Sequence, residues 1–319
     1  MMRTTAGTPQ STLHTGGEHS GDFIELTMVL VLGGGVIFAG VMLLLALSLS
    51  QQRTVNTRLW LMGGGIAFPV VVLCALFLYS EWLRPAWRPS LPANALVVTV
   101  TGRMWWWDVS YQDTQSRLHF VTANEIRLPL GRPVYFALTS EDVIHSFWVP
   151  ALGGKMDMVP GRLQHLLITP TIQGQWRGQC AEFCGAQHAL MALDVIVSSS
   201  MEYEAWAKAQ AQPATEGEAL LHHPGRYAFL KNRCNFCHNV RGIPDADEVH
   251  GKPRLGPDLT HVASRHSLAA VALPNTLQNM HHWITNTQEV KPDARMPSSA
   301  ERIPPQELED IAKWLSMLK

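Results

Sequence analysis

Two long apolar runs near the start of the chain constrain its fold more than any other feature. From Phe23 to Leu49 the sequence is nearly unbroken apolar, with Glu25 at its margin and Gly33, Gly34 and Gly35 within it. A second run extends from Leu59 to Tyr79 and carries Gly63, Gly64, Gly65 and Pro69. Each supplies the roughly 20 residues a helix needs to cross a hydrocarbon core about 30 Å thick. One such run also suits a buried helix of a soluble protein; two in succession favour a transmembrane hairpin. The loop between them carries Arg53 and Arg58 and no acid, which places it in the cytoplasm. That bias is small, because Arg84 and Arg88 follow the second run. Both ends of the hairpin then face outward.

The chain's 319 residues leave room for two modest globular domains besides the anchor. A formal charge of -1 excludes strong bulk attraction to nucleic acid. Composition shifts divide the chain into a polar, flexible tail (1–22), the hairpin (23–94), an all-β region (95–198), a linker (199–218) and a helical region (219–319). In the all-β region, Leu96 to Thr101, Val134 to Thr139, Arg162 to Thr169 and Met191 to Val197 are short segments rich in Val, Ile, Leu and Thr, separated by Gly, Pro and Asp turns. That pattern predicts a sandwich or Greek-key barrel. In the linker, Met201 to Gln210 suits a short helix. Beyond it, Ala219 to Asn232, Thr276 to Thr287 and Pro305 to Leu318 are candidate helices.

The five cysteines are not scattered: Cys180 and Cys184 form one close pair, Cys234 and Cys237 another, and Cys74 stands alone in an apolar run. Around the first pair, Cys180, Cys184, His188 and Met191 offer two thiolates, an imidazole and a thioether. Soft sulfur with imidazole suits copper, and two thiolates in one loop can bridge a pair of ions. His145, after a predicted strand, supplies a further imidazole. A Cys180–Cys184 disulfide or a zinc site are the alternatives, but the first leaves His188 and Met191 unexplained and the second has no use for Met191.

Cys234-Asn235-Phe236-Cys237-His238 is the c-type haem attachment pattern. The two thiols can add to the haem vinyl groups, and His238 is then delivered to the iron. Met296, in the loop before the last helix, is the candidate sixth ligand, and a His/Met pair raises a haem potential into the electron-transfer range. Met280, His281 and His282 are its rivals. Gly102-Arg103-Met104-Trp105-Trp106-Trp107 is a further cluster, readable as core or interface anchors.

The segment from Gly178 to Met191 resembles the binuclear copper A loop of cytochrome c oxidase subunit II. The likeness extends from the hairpin to about Val197, with Asp142 to Phe147, Val149 to Gly153, Lys155 to Asp157 and Pro160 to Arg162 as supporting matches. With Gly256 to Leu259 and the terminal helix bearing Trp314, the C-terminal region resembles class I cytochrome c domains. Haem-fused subunit II belongs to the caa-type branch of haem-copper oxidases, which the chain resembles over nearly its whole length.

The resemblance implies a multi-domain membrane protein: a two-helix hairpin, a cupredoxin-like Greek-key domain and an all-α cytochrome c domain. It implies that Cys180 and Cys184 bridge two coppers and that His145 and His188 bind one each. Met191 would be a weak ligand on one copper and the Glu182 carbonyl on the other, while the Glu182 side chain would reach a magnesium ion shared with the catalytic subunit. Trp105 would be the point of electron entry, although Met104 stands where the family usually has Gln. Where the family often has a Glu near the start of its second transmembrane helix, Gln51 to Met62 contains no carboxylate, so a proton role for this chain does not carry over.

The implied function is electron entry into a terminal oxidase. A cytochrome c-type or other redox donor would feed haem c, then copper A, then a partner catalytic subunit that reduces dioxygen with proton translocation. Haem attachment outside the cytoplasm puts the soluble part on the periplasmic side of a bacterial inner (plasma) membrane. A copper A subunit serving nitric oxide reduction, and a non-enzymatic membrane redox sensor or copper-delivery protein, are the competing expectations.

Overall fold

A computed structural model describes residues 9–50, 54–83, 91–112, 119–214, 217–243, 245–246 and 255–319. Arg53, Arg84 and Arg88, which bear on the topology argument, lie outside the described residues. The chain divides into two compact units, residues 19–89 and the remainder.

The smaller unit is the hairpin. Helix α1 (Ser20–Ser50) and helix α2 (Thr57–Leu83) are each long and apolar enough to span a membrane. Their apolar side chains are exposed, Val36 at 74% and Phe77 at 62%. Exposed apolar surface of this extent needs a hydrocarbon surrounding, and the buried-helix reading does not hold. Gly63, Gly64 and Gly65 fall in a stretch of wider turns over Trp60–Ala67. Tyr79 donates to the Glu25 carboxylate at 2.5 Å and so ties the two helices together.

The larger unit begins with the all-β region. Among the described residues, ten strands form two sheets, in the orders β3-β2-β1-β5-β8 and β4-β10-β9-β6-β7. They are β1 (Leu96–Arg103), β2 (Trp106–Gln112), β3 (His119–Ala123), β4 (Glu125–Pro129) and β5 (Val134–Ser140), followed by β6 (His145–Trp148), β7 (Met156–Met158), β8 (Gln164–Ile168), β9 (Gly174–Cys180) and β10 (Ala192–Ser198). The four predicted strands correspond to β1, β5, β8 and β10. Alternation along β1 sends Leu96, Val98 and Val100 inward. They join Trp107, Phe136, Phe147 and Leu193 in one core. The parallel pairings β1·β5 and β4·β10 interrupt the otherwise antiparallel order of the sandwich.

Two sequence expectations need correction. Residues 1–22 were expected to form a flexible tail, but part of this segment is strapped to the sandwich. The Gly16 amide donates to Ala151 O at 2.8 Å, the Thr171 amide to Gly16 O at 2.8 Å and the Glu18 amide to Thr169 O at 2.9 Å. Gly17 permits this approach, since a Cβ there would lie 2.0 Å from the Leu152 carbonyl oxygen. The linker is likewise no loose tether. Helix α3 (Ser200–Ala211) forms as expected, started by a reciprocal Ser199–Glu202 cap. Its Tyr203 and Ala207 are buried in the sandwich core. Trp206 packs edge-on against Tyr111 and Phe120 and lies under the Arg127 guanidinium.

The helical region packs α4 (Pro224–Lys231), α5 (Leu277–Thr285) and α6 (Pro305–Leu315) around Phe229, Met280, Leu308, Ile311 and Trp314. The predicted first helix is broken, because Pro224 starts a new helix capped by His223 Nδ1. Gly225 lets α4 and α6 cross closely, since a Cβ there would lie 2.0 Å from Asp310 O.

Candidate metal and haem centres

Strand β9 ends at Cys180, and the loop from it to β10 carries the other sulfur ligands. Cys180 Sγ and Cys184 Sγ lie 3.8 Å apart, far beyond a disulfide bond of about 2.05 Å. His145, at the start of β6, brings Nδ1 to 3.8 Å from Cys180 Sγ. On the other side, His188 Nδ1 lies 3.6 Å and Met191 Sδ 3.9 Å from Cys184 Sγ. The Glu182 carbonyl oxygen is 3.3 Å from Cys180 Sγ. The other four expected donors therefore surround the sulfur pair, one imidazole per sulfur. His145, Cys180, Cys184 and Met191 are buried.

The electrostatics favour bound cations. Cys184 donates to Cys180, so the Cys180 thiolate is stabilised although burial opposes it, while Cys184 is pushed up as the donor. Both sulfurs can be anionic together only if positive charge sits between them. Two thiolates and two imidazoles alone would also suit zinc; the Met191 thioether makes copper the better fit to this donor set. Among the described residues His145, Cys180 and Cys184 form the one candidate cluster. The Glu182 side chain is exposed and outside that cluster, so this chain lends no support to magnesium there.

Sequence reasoning did not single out the group that orients His145. Asp142 Oδ1 lies 2.8 Å from His145 Nε2, fixing a proton there and leaving Nδ1 free toward the sulfurs. Burial would raise the Asp142 carboxyl, but His145 and the amides of Met104 and Val143 outweigh it and hold it below its ordinary value. Gly102 admits the His145 ring, since a Cβ there would lie 2.7 Å from it. An Asp three positions before a ligand His was the available signal.

The three tryptophans separate into three roles. Trp105 Nε1 donates to the Cys184 carbonyl at 2.7 Å. Trp106 lies under the Arg103 guanidinium. Trp107 is fully buried and meets Phe147 edge-on. The core-anchor reading thus holds for Trp107, while Trp105 touches the sulfur loop. Lys291, from the helical region, is buried and donates to Trp105 O at 2.8 Å and Leu190 O at 3.0 Å. Burial pushes this lysine down to about 7, against the opposing pull of Cys184.

In the helical region Cys234 opens a single tight turn, and the His238 amide donates back to Cys234 O at 3.0 Å. This brings the cysteines and His238 to one wall. His238 Nδ1 donates to Pro257 O at 2.8 Å, which leaves Nε2 as the free ligand atom. Burial keeps this imidazole neutral, as iron ligation needs. Burial also raises both cysteines, Cys234 to about 11, so they stay thiols, the form that adds to a vinyl group. A Cβ on Gly256 would lie 2.7 Å from the His238 ring; the turn is required by the histidine. Met296 packs on the same apolar cluster as Cys234, and Gln288 Nε2 donates to its carbonyl at 2.9 Å. Its rival Met280 is buried in the helix core.

A sulfur–imidazole cluster in a β-sandwich and a Cys-x-x-Cys-His turn in the helical region make two candidate redox centres. Residues 96–199 match the family described as cytochrome c oxidase subunit II, periplasmic domain, and residues 223–319 match the cytochrome c family. Among curated relatives, cytochrome c oxidase subunit 2 of Alkalihalophilus pseudofirmus is 34% identical over 72% of this chain and 64% of its own length. The Bacillus subtilis protein of the same name is 30% identical, over 71% and 63%. The chain thus spans less than two thirds of these relatives. The periplasmic domain of cytochrome oxidase subunit II from Bradyrhizobium japonicum is 30% identical with a TM-score of 0.35, covering 38% of this chain and 96% of that one. Together, the matches over residues 96–199 and 223–319 fit a cytochrome c oxidase subunit II with a fused cytochrome c domain.

Proposed function

We propose that this chain is the electron-entry subunit of a membrane-bound terminal oxidase. It would take electrons from a cytochrome c-type donor and pass them to a partner haem-copper subunit that reduces dioxygen with proton translocation. The observation that carries this reading is the sulfur pair flanked by one imidazole each, in one compact unit with a haem-attachment turn. When bound, a copper pair and a covalent haem supply one-electron transfer with little rearrangement.

The chain's residues do the rest. Cys180 and Cys184 would bridge the coppers, with His145, His188, Met191 and the Glu182 carbonyl closing the cage. Asp142 holds His145 in one tautomer, and burial excludes water from the sulfurs. Cys234, Cys237, His238 and Met296 would hold the haem. Trp105, hydrogen-bonded to the Cys184 carbonyl, would be the entry point to the copper cage.

The proposed location is a bacterial inner membrane with both soluble domains outside. The Gly16–Glu18 strap supports this topology, because it keeps the segment before α1 on the same side as the sandwich. Domain limits near 23–94, 95–198 and 219–319 remain our division, with 199–218 as a packed joint.

A metal and optical inventory of the purified chain tests the reading. Two coppers, one covalent haem and a mixed-valence copper signal are expected; a single copper or an oxidised Cys180–Cys184 pair would sink it. Oxygen uptake by the purified complex, set against nitric oxide turnover, decides the acceptor.

A further inference from the structure

The sandwich and the helical domain meet along a polar seam. At one end Lys291, 3% exposed, donates to Trp105 O and Leu190 O, and Gln187 Nε2 donates to Pro292 O at 2.6 Å. Nearby, the Arg295 guanidinium lies 3.9 Å from Asp142, the residue that orients His145. This stretch, Lys291 to Arg295, runs directly into Met296. At a second point, Glu125 Oε2 accepts from the His266 amide at 2.8 Å and Asp194 Oδ2 from the Ser267 hydroxyl at 2.6 Å. Glu125, Asp194 and Ser267 are buried, and Arg265 is attracted by Glu125 and Asp108. Cations of the helical domain thus face carboxylates and carbonyls of the sandwich.

The joint between the domains is fastened as well. Helix α3 is built into the sandwich core, while Arg241 Nη2 donates to Gln210 O at 2.7 Å and His261 Nε2 to Gln212 O at 3.0 Å. A flexible tether needs a solvated, unpaired stretch. Residues 199–212 are instead helical or hydrogen-bonded.

We propose that the haem domain is a docked donor and not a swinging one. A polar latch, with Lys291 as its central positioning residue, holds the Lys291–Met296 segment against Trp105 and the copper loop in a single register. The proposal rests on the electron-entry reading. Its physical basis is that the buried Lys291 amino group loses its hydration on docking and recovers hydrogen-bond partners only in the two carbonyls. Partial undocking would strip Lys291 of both its carbonyls and take one partner each from Glu125 and Asp194, which would keep only Arg127 and Gln175, so the contacts along the seam are lost together.

Hydrogen exchange on the full-length protein in detergent tests it. In the native chain the His266 amide should be protected. Lys291→Met should raise its exchange by about 10- to 100-fold, the worth of a charge-assisted hydrogen-bond pair, although His266 lies at the other end of the seam. Ser267→Ala should loosen the Leu190–Met191 region in the reciprocal way and serves as the second variant if Lys291→Met fails to fold. Unchanged exchange at the distant end, or an unprotected His266 in the native chain, overturns the latch.

A kinetic readout is independent of these variants. After flash reduction of the haem, one electron leaves ferrous haem and reduces the oxidised copper pair, giving ferric haem with no proton taken up. A docked donor gives a rate independent of solvent viscosity; a viscosity-dependent rate in the native chain refutes docking. Absence of copper or haem would defeat the electron-entry reading, while the exchange experiment would still judge the latch.

Discussion

The sandwich and the helical domain solve the same problem in opposite ways. Each holds one imidazole nitrogen of a candidate ligand histidine in a hydrogen bond and leaves the other for a metal on the proposed reading. In the sandwich, Asp142 takes His145 Nε2 and leaves Nδ1 facing the sulfurs. In the helical domain, the Pro257 carbonyl takes His238 Nδ1 and leaves Nε2 free. On the proposed reading, a charged partner suits a cage for two cations around two thiolates, and a neutral carbonyl suits a single iron whose porphyrin brings its own charge. Both rings lie against a glycine, Gly102 and Gly256, at the same 2.7 Å limit. The lesson is that the ligand is specified twice, once by its own identity and again by the neighbour that selects its nitrogen.

Cys180→Ser should break the comparison most completely. The mixed-valence copper signal should vanish while the haem absorption stays as in the native chain; a surviving signal in the paramagnetic spectrum refutes the bridging assignment. Next in size, Asp142→Ala should weaken copper retention by about 10- to 100-fold against a chelator titration, since a partner that orients a ligand is worth that much. Asp142→Asn, which keeps an acceptor oxygen, should lose less; equal losses would mean that the carboxylate's charge, not its hydrogen bond, matters.

Gly256→Ala should cost about 1–3 kcal/mol by forcing the His238 ring aside. The loss should show as an earlier thermal transition of the haem domain with the copper spectrum intact, and Gly102→Ala should produce the mirror image. A shift in both domains' spectra from either variant would contradict their separate support of the two histidines. Smallest, Ser199→Ala should cost about 1 kcal/mol by removing the cap of α3. Chemical denaturation should register it with both chromophores unchanged; a cost near zero would mean packing of Trp206 alone fixes that helix.

Much of this was legible in the chain because its chemistry is local. The Cys180–Met191 loop and the Cys234–His238 turn each put several ligands on one short stretch, so residue type and spacing carry the signal. The strands at 96–101 and 191–197 were readable for the same reason, since alternation reports a buried face. Less legible was whatever depended on partners distant in sequence. Nothing around Lys291 marks it as the residue that meets Trp105, because a lysine in a polar loop is ordinarily solvated. The tail expected over residues 1–22 is polar and Gly-rich, yet Gly16 and Gly17 seat it on Ala151 and Leu152. Composition reports what a segment is made of, and pairing of its backbone is invisible to it.

The sequence by itself determined the two long apolar helices, the order of the sandwich and helical regions and the candidate ligand residues, because hydrophobic length and ligand chemistry are properties of contiguous residues. Only the tertiary structure decided which nitrogen of each histidine is offered, which of three adjacent tryptophans touches the sulfur loop, and that the haem domain is fastened to the sandwich. Those outcomes depend on hydrogen bonds and burial between segments up to 186 positions apart, and such bonds exist only once the chain has folded.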